Sequence, residues 1–512
     1  GLGSPWRCLI VIAGDCIDFD THIMNPNRAV YFSTNRLTPF FRRRVRFNTA
    51  RATAEDVAVD DIVRSIGLTP SLTDDDISID HRDPEIYAVD DDGKVPFGVS
   101  QSRDEEEEAE LRFRQHPVVQ LSCTDESFDP APEAMLDAAA RILADAPSLS
   151  KREAFNQKEN WMNNVHNKFL NPSNLYDRNR SFEYLRNDHF MSHAVIRRVL
   201  REVRKRVSGL DVTNALDFGA GTGAGAWALS EVFGPSLQNI LCVETAPFMR
   251  SIAEYQSKDI TGSLPASKLD ICWTATLPLE RLDQYSITMA AFVMQEVHPS
   301  NRQNILEHLW ACTAPGGVLV VLELGNAQGS ASILDSRSRI LAMPAARILA
   351  PCPHAQECPF ASKYAKLTET TNKRKQRQRA SGRNFCHYGQ RVMIESFPIG
   401  SLIRRRPQTA SRLRFQNEHL VPFSYVVMQK YDPDAAKTSL EFDPSSWARM
   451  IKPPIKRGGH VILDLCQSNG SIERQVVSRS KGSGGPYKLA RLSRWSDLWP
   501  YTLAPETETN NV

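Results

Sequence analysis

The middle of the chain alternates short apolar runs with stretches of helical periodicity. Apolar runs of strand length are followed by segments whose apolar residues recur at helical spacing. This alternation is typical of a parallel β-sheet with helices on both faces, so we predict an α/β fold. The predicted strands are 214–218, 240–243, 287–293 and 318–324. The predicted helices are one that follows the glycine turn and runs through Leu229 to Phe233, and two more at 247–255 and 302–312.

Segments on either side of this region carry other patterns. Ile196, Val199, Leu200 and Val203 are spaced by three and four, which predicts an amphipathic helix over 180–208 with a basic outer face. A further helix is predicted at 132–146 and a last core strand at 423–428. Runs 461–465 and 471–477, separated by 467–470, predict a hairpin in a small C-terminal β unit.

These patterns divide the chain into five regions. We expect a targeting segment at 1–54, an acidic and partly disordered extension at 55–179, and the α/β core at 180–325. The alternation breaks down over 326–422, which is rich in cysteine and arginine and is predicted to be an insertion. Residues 423–512 would hold the last core strand and the C-terminal β unit.

The N-terminal region has the composition of a mitochondrial presequence. Residues 24–54 contain seven arginines, one serine, four threonines, and no aspartate or glutamate. Because acidic residues precede Met24, we expect Met24 to be the true start. A basic arm that binds RNA is the alternative interpretation.

Charge and hydropathy narrow the class of protein. The net charge is only +2 over 512 residues, but the charge is uneven: 55–110 is acidic, whereas 373–379, 404–406 and the stretch from Lys452 onward are basic. This asymmetry favours a C-terminal part of the chain that binds a polyanion. Such charged runs are also typical of solvated loops. No apolar run reaches the length of a membrane span, so we expect none.

A glycine-rich loop follows the first core strand. In Leu216–Gly223 (LDFGAGTG) the glycines would let a ligand approach the backbone at a helix N-terminus, and Glu244 ends the next strand, where a carboxylate can accept the ribose hydroxyls. The spacing resembles the first motif of class I S-adenosylmethionine-dependent methyltransferases, a Rossmann-like fold, and Pro315–Gly317 resembles the turn before their fifth strand. A loop that binds nothing, or one that binds a nicotinamide dinucleotide, remains an alternative. The predicted cofactor-binding residues are Asp217, Gly219, Gly221, Gly223, Glu244 and Gln295.

The segment after the fourth strand lacks the Asn/Asp-Pro-Pro-aromatic motif common in methylation of exocyclic amines. It contains Gln295, Glu296 and His298 instead, any of which could line an acceptor pocket. We therefore predict no catalytic residue, and cofactor binding is better supported than turnover.

Four of the ten cysteines have an unusual distribution. Cys352 and Cys358 lie close together, each next to proline, Cys386 follows, and Cys466 ends a predicted strand far downstream. Four thiolates suit a [4Fe–4S] cluster, and Cys-Pro steps occur in cluster-binding runs. Zinc remains possible, with His354 and His387 as further ligands, as does the absence of any metal. A bound centre would be structural and would tie the arginine-rich insertion to the C-terminal β unit.

Several motifs, taken in order, resemble one family: the mitochondrial methyltransferase-like proteins that associate with the small ribosomal subunit during its assembly. The resemblance covers roughly 180–500, and the long stretch between Cys358 and Cys386 departs from the family's tighter spacing. The matching pieces are Leu216–Gly223, Pro315–Leu324, Ala350–Pro359, Phe385–Val392, Phe423–Val426, His460–Cys466 and Ser493–Trp499.

The resemblance implies an S-adenosylmethionine-type fold, a [4Fe–4S] cluster held by Cys352, Cys358, Cys386 and Cys466, and contact with small-subunit rRNA. It places the protein in the mitochondrial matrix, with ribosomal proteins or other assembly factors as partners. Basic residues would then face phosphates, and Tyr487, Trp495 and Trp499 would either stack on bases or pack the β unit. We expect an assembly factor of weak or no catalytic activity. The alternatives are an active rRNA methyltransferase and a zinc-containing structural ribosomal protein.

Overall fold

The computed structural model describes residues 111–124, 130–144, 146, 176–207, 209–262, 269–278, 280–361, 385–393, 418–431, 444–480 and 485–501. The predicted targeting segment and the basic runs 373–379 and 404–406 lie outside these residues. Among the described helices, none combines the length and the apolarity needed to cross a bilayer.

Helices and strands alternate through the core as the sequence pattern predicts. The described helices are α1 Pro117–Ser122, α2 Glu133–Ala144, α3 Arg178–Asn187, α4 His189–Arg206, α5 Ala224–Phe233, α6 Pro247–Gly262, α7 Arg302–Cys312, α8 Ala327–Leu341 and α9 Gly485–Leu492. The strands of the large sheet are β1 Asn214–Phe218, β2 Asn239–Val243, β3 Asp270–Thr274, β4 Tyr285–Ala291, β5 Thr313–Leu324, β6 Ala346–Ala350, β7 Tyr388–Met393 and β8 Glu418–Lys430. The strands of the small sheet are β9 Ala448–Met450, β10 Ile455–Lys456, β11 His460–Cys466, β12 Ile472–Ser478 and β13 Leu498–Trp499.

The large sheet has the order β3-β2-β1-β4-β5-β8-β6, with β7 paired to the other end of β8. Strands β1 to β5 pair in parallel, whereas β8 runs antiparallel to β5, β6 and β7. This mostly parallel arrangement confirms the predicted α/β fold class.

Both faces of the large sheet are buried. Along β5, Val318, Val320 and Leu322 belong to one apolar core, and Leu319 and Val321 belong to the other. Successive side chains of a strand point to opposite faces, so helices must cover each side. The continuous apolar run that predicted this strand is therefore a consequence of double burial.

The small C-terminal sheet contains the predicted hairpin. Strands β11 and β12 pair antiparallel from His460↔Ser478 to Cys466↔Ile472. Trp499 is only 1% exposed and packs in the core of this sheet, where Val119 of α1 also lies. The sequence left base stacking and packing of the β unit as alternatives for Trp499, and in the structure it packs the β unit.

The helix predicted over 180–208 is two helices, α3 and α4, which are separated by Asp188. The apolar stripe of α4 is buried as expected, but its basic face is exposed only near its end, at Arg204 and Lys205, because Arg197 and Arg198 are each only 3% exposed. Arg197 pairs with Glu231 of α5 at 3.0 Å, and Arg198 donates to the Gly389 carbonyl at 2.6 Å. Neighbouring elements cover this side of the helix and supply partners for its charges.

A buried ion cluster joins α4 to the rest of the chain. Glu202 Oε1 lies 2.6 Å from Arg449 Nη2 of β9 and 2.9 Å from Arg206 Nε, while the Tyr425 hydroxyl of β8 donates to Oε2 at 2.6 Å. Burial alone would raise the pKa of Glu202, but the two guanidinium groups and this hydroxyl lower it to about 2. Glu202 is thus ionised and connects both sheets to α4.

We predict that Glu202→Gln lowers the free energy of unfolding by about 3–5 kcal/mol, because it leaves two buried guanidinium groups facing no carboxylate. The matched control is Glu254→Gln, whose side chain is 50% exposed and 3.6 Å from Arg250 and which should cost at most about 1 kcal/mol. Denaturant unfolding at neutral pH measures both changes.

The pH dependence provides a second check on the same pair. The pKa of Glu202 in the folded protein lies below the ordinary value of 4.5, so its stabilisation is present above that value and is lost as pH falls toward 2. Wild type and Glu202→Gln should therefore converge in stability over this acidic range. A constant difference down to pH 2 would contradict the assignment.

Candidate cofactor and metal site

The predicted cofactor-binding residues lie at one edge of the large sheet. Asp217 lies near the end of β1 and the glycine loop follows that strand, while Glu244 follows β2 and Gln295 follows β4. Because the carboxyl ends of parallel strands meet at the same edge, the fold brings these residues to the position where open α/β sheets bind ligands.

The glycine loop has a backbone that other residues would strain. Gly219, Gly221 and Gly223 have φ angles of +73°, +56° and +92°, in the left-handed region that favours glycine. A Cβ on Gly219 would also lie 2.5 Å from Cγ2 of Val293. The loop therefore requires glycine for its conformation, independently of any ligand.

Glu244 closes this loop from the neighbouring strand. Its Oε2 accepts the Gly221 N–H at 2.8 Å and its Oε1 accepts the Ala246 N–H at 2.7 Å. Each carboxylate oxygen retains a further lone pair that can accept a hydrogen bond from a ribose hydroxyl. Burial raises the pKa of Glu244 despite these two hydrogen bonds.

Asp217 is 2% exposed beneath the loop, and its pKa is raised to about 7 by burial and then by the charge of Glu244. Gly225, in the first turn of α5, is the residue that makes room for it, because a Cβ there would lie 2.0 Å from Asp217 Oδ2. Sequence reasoning gave this glycine no role, although its position two residues after Gly223 is visible in the motif.

The polar groups after β4 already have hydrogen-bond partners within the protein. Gln295 donates to both oxygens of Glu323, from its backbone N–H at 3.0 Å and from Nε2 at 2.6 Å. Tyr176 donates to Glu296 at 2.5 Å, and His298 accepts from the Ser300 N–H at 3.1 Å on the surface. Gln295 therefore positions the loop after β4 through Glu323 of β5.

The four predicted metal ligands line one cavity between the large sheet and the C-terminal sheet. The cavity measures about 40 Å³, on a scale where a single water needs roughly 10–15 Å³. Cys352 and Cys358 come from the loop after β6, Cys386 precedes β7, and Cys466 ends β11. Chain segments more than 100 residues apart thus place their thiols on the same wall.

In the parts of the chain that the structure describes, no three histidine, cysteine or acidic side chains stand in an arrangement that could hold a metal ion as it is. Cys466 Sγ instead lies 3.4 Å from His354 Nε2, and Cys386 Sγ donates to the Tyr388 hydroxyl at 3.4 Å. The thiols share a cavity but would have to draw closer together to bind one ion.

Burial keeps the thiols of Cys358, Cys386 and Cys466 protonated by raising the pKa of each. Burial and, after it, the neighbouring Cys352 raise the pKa of Cys358 to about 11 and that of Cys466 to about 12. A metal would therefore have to displace protons from them, as thiolate sites generally require.

Two arginines on this wall were not anticipated from the sequence. Arg337 lies on α8 and Arg449 on β9, and both are buried. A helical signal for α8 exists in the apolar spacing of Ile333, Leu334 and Ile340, but its many serines and arginines conceal it.

Comparison with known proteins gives several similarities. In Schizosaccharomyces pombe, the Rsm22-cox11 tandem protein 2, mitochondrial, is 29% identical over 311 residues, which cover 56% of this chain and 38% of that protein. The human ribosome assembly protein METTL17, mitochondrial, is 25% identical over 316 residues, which cover 60% of this chain and 59% of that protein. The match to each thus covers less than two thirds of the relative's length.

Solved structures with a related fold include a SAM-dependent methyltransferase from Aquifex aeolicus, at 19% identity and a TM-score of 0.23, covering 29% of this chain and 73% of that one. The YcgJ protein from Bacillus subtilis has 11% identity and a TM-score of 0.24, covering 47% and 99%.

A family model described as mitochondrial small ribosomal subunit Rsm22 matches residues 178–500, from the start of α3 to the end of the C-terminal sheet. This match spans well over half of the sequence and includes the glycine loop and all four cavity cysteines. The chain belongs to the Rsm22 family of mitochondrial small ribosomal subunit proteins.

Proposed function

We propose that this protein is an assembly factor of the mitochondrial small ribosomal subunit that acts in the matrix by binding rRNA and ribosomal proteins. The observation that carries the proposal is the family match over 178–500, together with relatives named as mitochondrial ribosome assembly proteins. The glycine-loop edge would bind S-adenosylmethionine and the cysteine cavity would hold a structural [4Fe–4S] cluster.

The hydrogen bonds made by the loop after β4 favour a binding role over methyl transfer. Gln295 and Glu296, which could have lined an acceptor pocket, are hydrogen bonded to Glu323 and Tyr176. A group that must position or deprotonate an acceptor has to reach it, and these two are occupied by other partners. We therefore assign them a positioning role for the loop.

The donor set of the cavity suits a thiophilic centre. Cys352, Cys358, Cys386 and Cys466 supply four sulfur atoms, and the described wall carries no aspartate or glutamate that would favour a harder cation. A bound cluster would supply four strong bonds between the loop after β6, the start of β7 and the end of β11.

RNA binding is supported by the charge of the C-terminal β unit, which consists of the small sheet, α9 and their connecting loops. Its described residues, 444–480 and 485–501, carry eight cations that are at least partly exposed against two such carboxylates, Asp464 and Glu473. The cations are Lys452, Lys456, Arg457, Arg474, Arg479, Lys488, Arg491 and Arg494.

Several of these cations surround the turn between β10 and β11. Arg491 donates to the Arg457 carbonyl at 3.4 Å, the Arg479 N–H donates to the Gly459 carbonyl at 3.0 Å, and Tyr487 donates to the Gly458 carbonyl at 3.4 Å. An aromatic ring among cations suits a polyanion that also carries bases to stack.

For the cluster, we expect anaerobically purified protein to contain about four iron atoms and about four sulfide ions per chain. Cys466→Ser should lose most of both, because it removes one of four ligands, whereas Cys272→Ser, at an exposed cysteine on β3, should retain them. Zinc without sulfide in the wild type, or full iron in Cys466→Ser, would contradict the cluster.

For the cofactor, we predict that Gly225→Ala weakens S-adenosylmethionine binding at least tenfold, because the new Cβ displaces the Asp217 carboxylate under the loop. The control is Gly262→Ala, where a Cβ meets nothing within 4 Å. Isothermal titration calorimetry measures both affinities. Equal affinity in the two variants would exclude the glycine loop as the binding site.

For RNA, we predict that Lys456→Gln combined with Arg479→Gln weakens binding to a small-subunit rRNA fragment. The slope of log affinity against log salt should fall by about 1 to 2, since two phosphate contacts are lost. The matched control is Arg141→Gln with Lys258→Gln, two exposed cations on α2 and α6. A change as large in the control pair would show that only net charge matters.

A further inference from the structure

Two guanidinium groups form part of the wall that carries the four cysteines. Arg337 is 4% exposed and Arg449 is 0% exposed, and both line the cavity together with the thiols. A guanidinium stays charged in proteins, so each buried one needs compensating negative charge nearby.

Around Arg449, a single buried carboxylate, that of Glu202, contacts two guanidinium groups. Glu202 contacts Arg449 at 2.6 Å and Arg206 at 2.9 Å, and its second oxygen accepts the Tyr425 hydroxyl. This group therefore retains one net positive charge beside the cavity. Arg449 Nε also donates to the Pro351 carbonyl at 2.9 Å, next to Cys352.

Arg337 contributes a second positive charge. Its Nη2 donates to the carbonyls of His354 at 3.0 Å and Gln356 at 2.6 Å, within the loop between Cys352 and Cys358. Its Nε is buried and has no hydrogen-bond partner, and no acidic residue is found on the described cavity wall. A buried donor without an acceptor and a buried charge without a counter-charge both destabilise the folded protein unless an anion occupies the cavity.

We propose that Arg337 and Arg449 compensate the charge of a tetrathiolate metal centre bound by the four cysteines. Four thiolates around an oxidised [4Fe–4S] core leave two net negative charges, which equals the excess positive charge of the wall. The inference rests on the proposed cluster. It adds that Arg337 is a positioning residue, because it holds the loop that carries Cys352 and Cys358 and places a positive charge beside the centre.

A consequence concerns the reduction potential. Adding one electron to the cluster increases its negative charge, so a nearby fixed cation favours the reduced form. Replacing Arg337 by a neutral residue should therefore lower the midpoint potential and weaken retention of the metal.

The test compares Arg337→Gln, Arg337→Lys and the control Arg339→Gln in anaerobically purified full-length protein. Arg339 lies on the same helix but pairs with Asp335 and does not line the cavity. We expect Arg337→Gln to lower the potential and to release iron to a chelator roughly tenfold faster or more. Arg337→Lys and Arg339→Gln should stay close to wild type in both measurements.

Other outcomes would overturn the inference. If Arg337→Gln holds iron and sulfide fully, with unchanged potential and release rate, the charge role is wrong while the cluster stands. If Arg337→Lys shifts as far as Arg337→Gln, the residue acts through its loop hydrogen bonds only. If wild type itself lacks iron and sulfide, the proposed cluster is wrong and the inference fails with it.

A second pair of variants covers the case in which Arg337→Gln does not fold. Leu334 lines the same wall and is partly exposed, so Leu334→Glu and Leu334→Gln differ in one negative charge at nearly constant shape. The potential should be lower in Leu334→Glu than in Leu334→Gln. Equal potentials in this pair would overturn the electrostatic assignment.

Discussion

The ion pair between Glu202 and Arg449 is the interaction on which the arrangement of the two sheets depends. Both side chains are almost fully buried, and their contact at 2.6 Å joins a helix of the α/β core to the first strand of the C-terminal sheet. Arg449 extends the link to the carbonyl of Pro351, beside the first cavity cysteine. Buried charges are tolerated only when paired, so this contact restricts how the C-terminal sheet and the cysteine loop can dock.

Helix α4 places this ion pair and the glycine loop on one rigid element. At its start, His189 Nδ1 and Thr222 Oγ1 of the loop share a hydrogen bond of 2.8 Å. Glu202 lies 13 residues later, about 20 Å along the helix axis. The same helix therefore contacts the loop at one end and the wall of the cysteine cavity at the other, which explains how the two proposed sites are held in one fixed geometry.

Sequence patterns predicted the doubly buried strands well, because β1, β4 and β5 need apolar residues on both faces. They missed the edge strand β3 and helix α8, whose composition is mixed or rich in serine, and they gave the region after β5 too little structure. The distribution of the four cysteines and the resemblance of the surrounding motifs to one family predicted that these cysteines form a common site. The roles of Arg337, Arg449 and the buried face of α4 depend on contacts between distant segments, which periodicity does not encode.

The central claim is that one metal centre in the cavity connects the loop after β6, the start of β7 and the end of β11. Hydrogen–deuterium exchange of metal-loaded and metal-free protein tests it directly. The account predicts that amides of 350–361, 385–393 and 460–466 gain protection together on loading, because ligand bonds stop their separate opening. Protection confined to one of these segments, or unchanged in all of them, would contradict it.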